Sequence, residues 1–338
     1  MATITEYIEP ILRGENLTFE QATRALDVIF EGEVPEIQIA AFLTAMRCRP
    51  TTAGELAGLA MSLRQHAVKV NGGVDNLVDT CGTGGAAVKT FNISTAAALV
   101  AAGAGVYVAK HGNRAITSKC GSADVLAELG VNIEAGPESV GQCIREAGIG
   151  FMFAPKFHPA MKYVQPVRKG LGFRTVFNFL GPLANPAGVK AQVLGVADQS
   201  LMPVVAEALN LLGTQRAMIV HSNGLDEISI TGPTKITELD ECKIREWSFS
   251  PSDYGIKTVA FDSLSSGDAK NNADIIKNIL NGVEKGPRKD IVVLNAAAAI
   301  IVGGLAENFG EALRLARQAI DNGQASQRLE KMIEISKS

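Results

Sequence analysis

The stretch DTCGTGGAAVKTFNIST at residues 79–95 decides the predicted fold. It starts in a short apolar strand, places glycines at Gly82, Gly84 and Gly85, and continues with hydroxyl and amide side chains that are typical of a helix start. Glycines let backbone N–H groups approach an anion closely, and the N-terminus of the next helix adds partial positive charge. Strand, glycine turn and helix together predict an α/β unit whose turn binds phosphate. A tight turn without a ligand is the alternative interpretation.

The glycine spacing excludes two common nucleotide-binding motifs. The GK[ST] ending of a Walker loop is missing, and the glycines do not follow the G-x-G-x-x-G spacing of a dinucleotide-binding turn. The segment therefore indicates a different kind of phosphate site.

Short apolar runs followed by turns and helical patterns continue along the chain, and they predict parallel strands with crossover helices. The five predicted strands lie at 77–80, 106–109, 150–154, 192–197 and 217–221. Helical patterns close the chain at 290–302 and 309–321, and a further strand is indicated around Trp247. The expected fold class is α/β, with a mainly parallel central sheet.

The first 70 residues predict a small all-helical domain. Thr18 with Gln21 and Thr52 with Glu55 fit the capping box, and Pro35 suits the first turn of a helix. Residues 159–183 depart from the alternation of strands and helices, and we expect them to return to the helical unit. The predicted organisation is a helical domain at 1–70, joined by an excursion near 159–183, and an α/β domain over 71–338.

A second polar segment, residues 108–124, follows the strand at 106–109. Lys110, Arg114 and Lys119 are predicted to bring positive charge to the strand-end crevice where open α/β sheets bind ligands. Hydrogen-bonding side chains accompany them at Asn113, Thr117, Ser118 and Ser122. A solvated basic loop is the alternative, and His111 is either structural or functional.

A third segment places Asp226 and Glu227 just after the strand at 217–221. Adjacent carboxylates at a strand end suit Mg²⁺, which prefers one or two protein carboxylates together with waters and phosphate oxygens. Acidic residues in a surface turn are the alternative.

Composition limits the classes of partner. The chain has 338 residues, of which 46% are hydrophobic, and a formal net charge of −3, so a large core is expected and a nucleic-acid backbone is not. Its five cysteines are widely spaced without a CxxC pair, which argues against a disulfide framework or structural zinc and for a reducing cytoplasm. A leader sequence and a membrane-spanning run are both missing from the pattern.

Seen together, these segments resemble the anthranilate phosphoribosyltransferase family. The resemblance extends over almost the whole chain and is carried by the GTGG and TFNIST runs, by KHGNR at 110–114 and by Asp226-Glu227. It is also carried by HPAM at 158–161, RTVFN at 174–178, LGPLANP at 180–186 and LNAAA at 294–298. The resemblance implies transfer of phosphoribose from 5-phosphoribosyl 1-diphosphate to the amine of anthranilate, with Mg²⁺, in a homodimer formed through the helical domain.

The resemblance also implies roles for individual residues. The phosphoribosyl-diphosphate site would comprise Gly82, Thr83, Gly84, Gly85, Ala86, Thr90, Asn92, Ile93, Ser94, Thr95, Lys110, His111, Gly112, Asn113, Arg114, Ala115, Ile116, Thr117, Ser118 and Ser122. Anthranilate would be bound by Gly82, His111, Asn113 and Arg168, and the metal by Ser94, Asp226 and Glu227. No general base is assigned. His158 is expected to line the acceptor site or cap a helix, and Asn295 is expected to allow close helix packing.

One departure from the family pattern concerns the glycine loop. Ala86-Ala87 stand where the family commonly has Asp-Gly, which makes the loop less acidic. Two other functions remain open at this point: a pyrimidine nucleoside phosphorylase of similar fold, and a noncatalytic relative that binds nucleic acid.

Overall fold

The computed structural model describes residues 3–85, 88–115, 120–265 and 267–338. Within these residues seven strands form one sheet: β1 (Leu77–Gly82), β2 (Tyr107–Gly112), β3 (Ile149–Phe153), β4 (Ala191–Gly195), β5 (Arg216–His221), β6 (Thr234–Asp240) and β7 (Lys243–Phe249). Their order is β3-β2-β1-β4-β5-β6-β7. The first five strands are parallel, whereas β6 and β7 form an antiparallel hairpin at the edge.

Helices surround the sheet and precede it. The α-helices of the first part are α1 (Thr5–Leu12), α2 (Phe19–Phe30), α3 (Glu36–Arg47) and α4 (Ala53–Gln65). Those that follow are α5 (Ile93–Gly103), α6 (Ser122–Glu128), α7 (Pro137–Gln142), α8 (Ala154–Phe157), α9 (Gln165–Leu171), α10 (Phe177–Leu183), α11 (Met202–Leu211), α12 (Ala269–Leu280), α13 (Pro287–Val302), α14 (Phe309–Asp321) and α15 (Gln324–Lys337).

The two faces of the sheet belong to different hydrophobic cores. On β5, Met218 and Val220 lie in a core with α5, α12, α13, α14 and α15, whereas Ala217 and Ile219 lie in a core with α11 and the first four helices. Successive strand side chains point to opposite faces, so both faces are covered by helices as expected for parallel strands. The predicted fold class and the five parallel strands are confirmed.

Local sequence signals fix the N-terminal helices. The capping boxes of Thr18 with Gln21 and Thr52 with Glu55 both form, while Pro35 is the N-cap of α3 and not part of its first turn. The buried Glu55 carboxylate additionally accepts from the Leu17 N–H at 2.9 Å and pairs with Arg49. This carboxylate therefore ties the start of α4 to the chain segment before α2.

The excursion, residues 159–183, packs on the first helices. Val164 and Val167 of this segment share a buried core with Leu26 and Leu59, and so does α10. Because α11 belongs to the same core, the domain boundary near residue 70 stays a prediction. Among the described residues, no helix is both long and apolar enough to cross a membrane.

Candidate active site at the carboxyl edge of the sheet

Two glycines at strand ends allow the third predicted segment, which carries Asp226 and Glu227, to lie against the glycine loop. A Cβ added to Gly195, the last residue of β4, would overlap the backbone of Asp226, and one added to Gly82 would lie 2.6 Å from the Asp226 Oδ2. A side chain at either position would displace the loop that carries Asp226. Both glycines are therefore needed to bring Asp226 against the end of β1.

One carboxylate and one guanidinium form hydrogen bonds with the backbone of the glycine loop. The Gly84 N–H donates to Asp226 Oδ2 at 3.2 Å, and Arg174 Nη2 donates to the Gly84 carbonyl oxygen at 3.2 Å. Gly84 and Gly85 both have positive φ (66° and 80°), which favours glycine. A backbone N–H predicted to face phosphate thus faces a carboxylate oxygen in this structure.

Glu227 lies at the start of the helix that follows the glycine loop. Its Oε1 accepts from the Ser94 N–H at 3.2 Å, in the first turn of α5. Burial raises the pKa of Glu227 to about 8, and the neighbouring Asp226 carboxylate adds to that rise. Burial also raises the pKa of Asp226, although Lys89 and Arg174 oppose the shift.

This donor set fits Mg²⁺. Within the described ranges, no group of three or more His, Cys, Asp or Glu side chains could hold a metal ion. Mg²⁺ is commonly bound by one or two carboxylates and completes its shell with water and phosphate oxygens. Two adjacent carboxyl groups that resist ionisation on their own are what a divalent cation would stabilise.

Asn295 holds the backbone directly after these carboxylates. From α13, its Oδ1 accepts from the Ile228 N–H at 2.9 Å, and its Nδ2 donates to the carbonyl oxygens of Ile228 at 2.8 Å and Ile291 at 2.9 Å. Asn295 was expected only to allow close helix packing. The buried amide instead fixes both backbone polar groups of the residue that follows Glu227.

The second predicted segment begins inside β2, so Lys110 is a strand residue. Its side chain is 2% exposed, and its ammonium group donates to the Thr80 carbonyl oxygen. Burial lowers the pKa of Lys110, although Asp79, Cys81 and Glu227 oppose the shift. Lys110, Arg114 and Lys119 were expected to bring their charges to the crevice from one loop. This expectation needs correction at Lys110, which lies beneath the crevice and not over it.

A buried carboxylate joins three segments beneath the site. Asp79 on β1 accepts from the His111 N–H at 3.2 Å and from Asn185 Nδ2 at 2.8 Å, and Asn185 Nδ2 also donates to the Ala109 carbonyl oxygen. Burial raises the pKa of Asp79 to about 6, partly offset by Lys110. Asp79 thereby links the glycine loop, the second segment and the end of the excursion.

The described residues on either side of 116–119 in the second segment meet at Asp124. This carboxylate accepts from the N–H groups of Ala115 and Gly121, each at 2.9 Å, and forms an ion pair with Arg114 at 2.9 Å. These bonds hold the two ends of the loop together. Arg114 is exposed but already paired, so it is available to a ligand only in competition with Asp124.

The other residues that were predicted to bind the phosphoribosyl donor differ in how far their side chains are buried. Those at least partly exposed around the crevice are Gly82, Thr83, Gly84, Gly85, Thr90, Asn92, Ser94, Gly112, Asn113, Arg114, Ala115 and Ser122. The side chains of Ile93 and Thr95 are buried, so these two residues can offer only backbone groups of the first turn of α5. Ala86, Ala87, Ile116, Thr117, Ser118 and Lys119 lie outside the described residues.

A largely apolar cavity of about 480 Å³ adjoins the glycine loop. It is lined by residues of β1, β2, α4, α8 and the excursion and of the chain next to them, among them Gly82, His111, Asn113, His158 and Arg168. All four residues predicted to bind the acceptor therefore border one cavity, and His158 lines it too.

Two histidines form the inner part of the cavity wall. The rings of His111 and His158 lie 4.9 Å apart between centroids. Burial lowers the pKa of His111 to about 4 and that of His158 to about 3, so both are neutral at pH 7. His111 Nδ1 lies 3.1 Å from the Gly181 carbonyl oxygen, so Nδ1 carries the proton and Nε2 is an acceptor without a partner among the described residues.

Arg168 is one of two positively charged side chains, with Lys162, in the lining of this cavity. Its guanidinium lies 5.5 Å from the centroid of the Phe177 ring and 3.4 Å from the side-chain oxygen of Gln165. Burial lowers the pKa of Arg168, but a guanidinium remains charged at neutral pH. A planar acid could therefore be bound with its carboxylate at Arg168 and its ring in the apolar part of the cavity.

Comparison with known proteins matches both parts of this architecture. Residues 5–67 match a family model described as the helical bundle domain of a glycosyl transferase family, and residues 74–326 match the a/b domain of the same family. The fold and site thus define a glycosyl transferase of this two-domain type.

Individual relatives narrow the class. The anthranilate phosphoribosyltransferase of Herpetosiphon aurantiacus is 50% identical over 98% of this chain and 99% of its own. The crystal structure of the enzyme of that name from Thermus thermophilus has a TM-score of 0.93 at 40% identity, covering 98% and 99% of the two chains. That from Saccharomyces cerevisiae, solved with PRPP and Mg, has a TM-score of 0.89 at 30% identity, covering 99% and 98%. The chain belongs to the anthranilate phosphoribosyltransferase family, which confirms the predicted family and enzyme class.

Proposed function

We propose that this protein transfers the 5-phosphoribosyl group of 5-phosphoribosyl 1-diphosphate to the amine of anthranilate and releases diphosphate. The proposal depends on one observation above all. A glycine loop, a helix N-terminus and two partly buried carboxylates meet at one side of the crevice, and an apolar cavity with a guanidinium adjoins them at the other.

On the donor side, Asp226 and Glu227 would hold Mg²⁺, with Ser94 beside them. Bound there, Mg²⁺ would neutralise charge on the diphosphate and so make it a better leaving group. The N–H of Gly84 and the first turn of α5 would then donate to phosphate oxygens. For this the Gly84 N–H must exchange Asp226 Oδ2 for a phosphate oxygen, since one N–H serves both.

On the acceptor side, Arg168 would pair with the anthranilate carboxylate. The amine lone pair forms the new bond to C1 of the ribose while the bond from C1 to the diphosphate oxygen breaks, and the amine then loses one proton. His111 Nε2, unprotonated and without a partner in the part of the chain that the structure describes, can accept a hydrogen bond from the amine. Catalysis would arise mainly from positioning and from electrostatic stabilisation of the departing diphosphate.

The proposal extends to assembly and location. A homodimer through the helical domain would cover Leu12 on α1 and Ile37 on α3, whose side chains are 67% and 79% exposed. Leu12→Asp and Ile37→Asp should lower the mass measured by light scattering if either lies in that interface. A cytoplasmic location would suit the five widely spaced cysteines, none of which forms a CxxC pair.

A steady-state assay tests the reaction. When purified protein is mixed with donor, Mg²⁺ and anthranilate, the anthranilate fluorescence should decrease. One diphosphate should be released for each anthranilate consumed. Phosphate-dependent cleavage of thymidine and a gel shift with nucleic acid, measured beside it, should both be negative. Activity toward thymidine without loss of anthranilate would reject the proposal.

A further inference from the structure

Arg174 reaches the glycine loop from outside the α/β layer. It belongs to the excursion, between α9 and α10, yet its Nη2 donates to the Gly84 carbonyl oxygen at 3.2 Å. A Cβ added to Gly85 would overlap its Nη1. The bare backbone of Gly85 is therefore what leaves room for the guanidinium in this structure.

The position of Arg174 is set by its neighbours. The guanidinium carbon lies 5.6 Å from the centroid of the Phe179 ring. The Thr175 N–H donates to Asn178 Oδ1 at 2.9 Å, and Val176 is buried in the core shared with the first helices. The backbone next to Arg174 is thus anchored in the helical part, while its side chain extends over the loop and remains exposed.

Among the described residues, most of the hydrogen-bonding capacity of the Arg174 side chain is unused. A guanidinium has five N–H donors. Among the described residues one protein acceptor, the Gly84 carbonyl oxygen, is bonded to Arg174, and none of their carboxylates forms an ion pair with it. A neutral carbonyl is a weaker partner for a guanidinium than an anion with two or more oxygens.

The charges around Asp226 indicate which anion would bind to Arg174. Arg174 and Lys89 both act electrostatically on the Asp226 carboxylate. A divalent cation at Asp226 would reverse that balance, because it would repel the guanidinium. A diphosphate arriving with the cation would supply negative charge at the same place.

We propose that Arg174 is a donor-binding residue, contributed by the excursion, whose guanidinium exchanges the Gly84 carbonyl for oxygens of the diphosphate. This inference rests on the proposed function, because it assumes that the glycine loop receives a diphosphate. Arg168, on the preceding helix of the same excursion, lines the acceptor cavity. One segment anchored in the helical part would then contact both substrates.

The test compares Arg174→Gln and Arg174→Lys with Lys169→Gln. Lys169 is an exposed cation on α9 of the same excursion, so its substitution removes an equal charge without touching the loop. Binding of diphosphate in the presence of Mg²⁺ is measured by calorimetry, and KM values for donor and acceptor are measured separately. Thermal melts verify that each variant is folded.

Arg174→Gln should weaken diphosphate binding and raise the donor KM by about tenfold each, with the anthranilate KM within about twofold of wild type. Arg174→Lys should be intermediate, because lysine keeps the charge but not the planar fork. Lys169→Gln should match wild type. Diphosphate affinity of Arg174→Gln within about twofold of wild type would overturn the inference. So would equal weakening for both substrates, which would mark Arg174 as a structural support.

The two proposals fail in different ways. Calorimetry needs no turnover, so a wild-type protein that binds diphosphate but transfers no phosphoribose would reject the proposed function. Loss of that binding in Arg174→Gln would still support the assignment of Arg174. A normal transferase whose diphosphate binding ignores Arg174 would reject the further inference alone.

Discussion

The two halves of the crevice are built by opposite means. The donor half consists of backbone N–H groups and paired carboxylates at strand ends, and burial raises the pKa of its Glu227. The acceptor half is an apolar cavity whose charged side chains, Lys162 and Arg168, come from the excursion, and burial lowers the pKa of its two histidines. One half therefore favours a bound cation and anion, while the other keeps its ionisable imidazoles neutral.

The difference between the halves extends to the chain segments that form them. The glycine loop, the helix start and the two carboxylates of the donor half come from two short stretches, residues 79–95 and the turn at 223–227, and Arg174 of the excursion reaches the same loop. The acceptor half draws on β1, β2 and the excursion, which are far apart in the chain. Substitutions in the two halves should therefore separate donor, metal and acceptor effects.

The largest effect is expected at Glu227 in the donor half. Glu227→Gln keeps the shape of the side chain but removes the charge that would hold Mg²⁺, so turnover should fall about 10²–10³-fold. Initial rates over a magnesium titration measure this loss. Glu246→Gln, an exposed position on β7, is the matched control and should behave as wild type. A Glu227→Gln protein with more than half of the wild-type rate would contradict the role of this carboxylate.

A smaller effect, confined to the other half, is expected at Arg168. Arg168→Ala removes the guanidinium that would bind the acceptor carboxylate, so the anthranilate KM should rise on the order of 10–100-fold. The donor KM should change little, because the contacts of Arg168 among the described residues are with Gln165 and Phe177 and not with the glycine loop. KM values measured at saturating concentrations of the other substrate separate the two, with Lys169→Ala as control. Equal losses for both substrates would refute the acceptor role.

Asn295 sharpens the comparison within the donor half. Asn295→Ala leaves the backbone N–H and C=O of Ile228 without their partner, so Glu227 should lose its fixed position. The magnesium concentration for half-maximal rate should rise about tenfold, and the free energy of unfolding should fall by about 1–3 kcal/mol. Magnesium titration and urea denaturation measure these changes. Asn278→Ala, exposed on α12, is the control, and an unchanged magnesium requirement would show that Asn295 only stabilises the fold.

The sequence was sufficient for the parallel strands and for the approach of the glycine loop, the start of α5 and the two carboxylates at one sheet edge, because each depends on local patterns. Strand, glycine turn and helix start are adjacent in the chain, and Asp226 follows β5 directly. The antiparallel hairpin of β6 and β7 was indicated only around Trp247. Asn295 and Arg174 act through contacts with segments distant in sequence, and neither shows its partner in its own surroundings. The motifs that contain them were visible in the sequence, but which atoms they contact depends on tertiary packing.

The smallest effect on turnover at neutral pH, and the clearest on stability, concerns the cavity histidines. Their folded pKa values, about 4 for His111 and about 3 for His158, lie below the usual value near 6.5. As pH falls from about 6.5 to 4, the unfolded chain binds protons that the folded chain excludes, so the stability that these groups contribute is lost. Each should reduce the free energy of unfolding by up to about 1.4 kcal/mol per pH unit in that window. Asp79 acts in the opposite sense, because its folded pKa of about 6 is raised and its contribution is lost as pH rises from about 4 to 6.

Comparing variants isolates the histidines from that opposing carboxylate. His158→Gln should flatten the decline in stability between pH 6.5 and 4.5 relative to the wild-type protein, because both proteins retain Asp79. Urea denaturation at a series of pH values measures both slopes. A flatter slope would show that the acceptor cavity keeps its histidines unprotonated at a pH at which histidines in the unfolded chain bind protons. Neutral imidazoles are what distinguishes this half of the crevice from the donor half. An unaltered slope in His158→Gln would mean that this half of the crevice is not the apolar environment that its lining indicates.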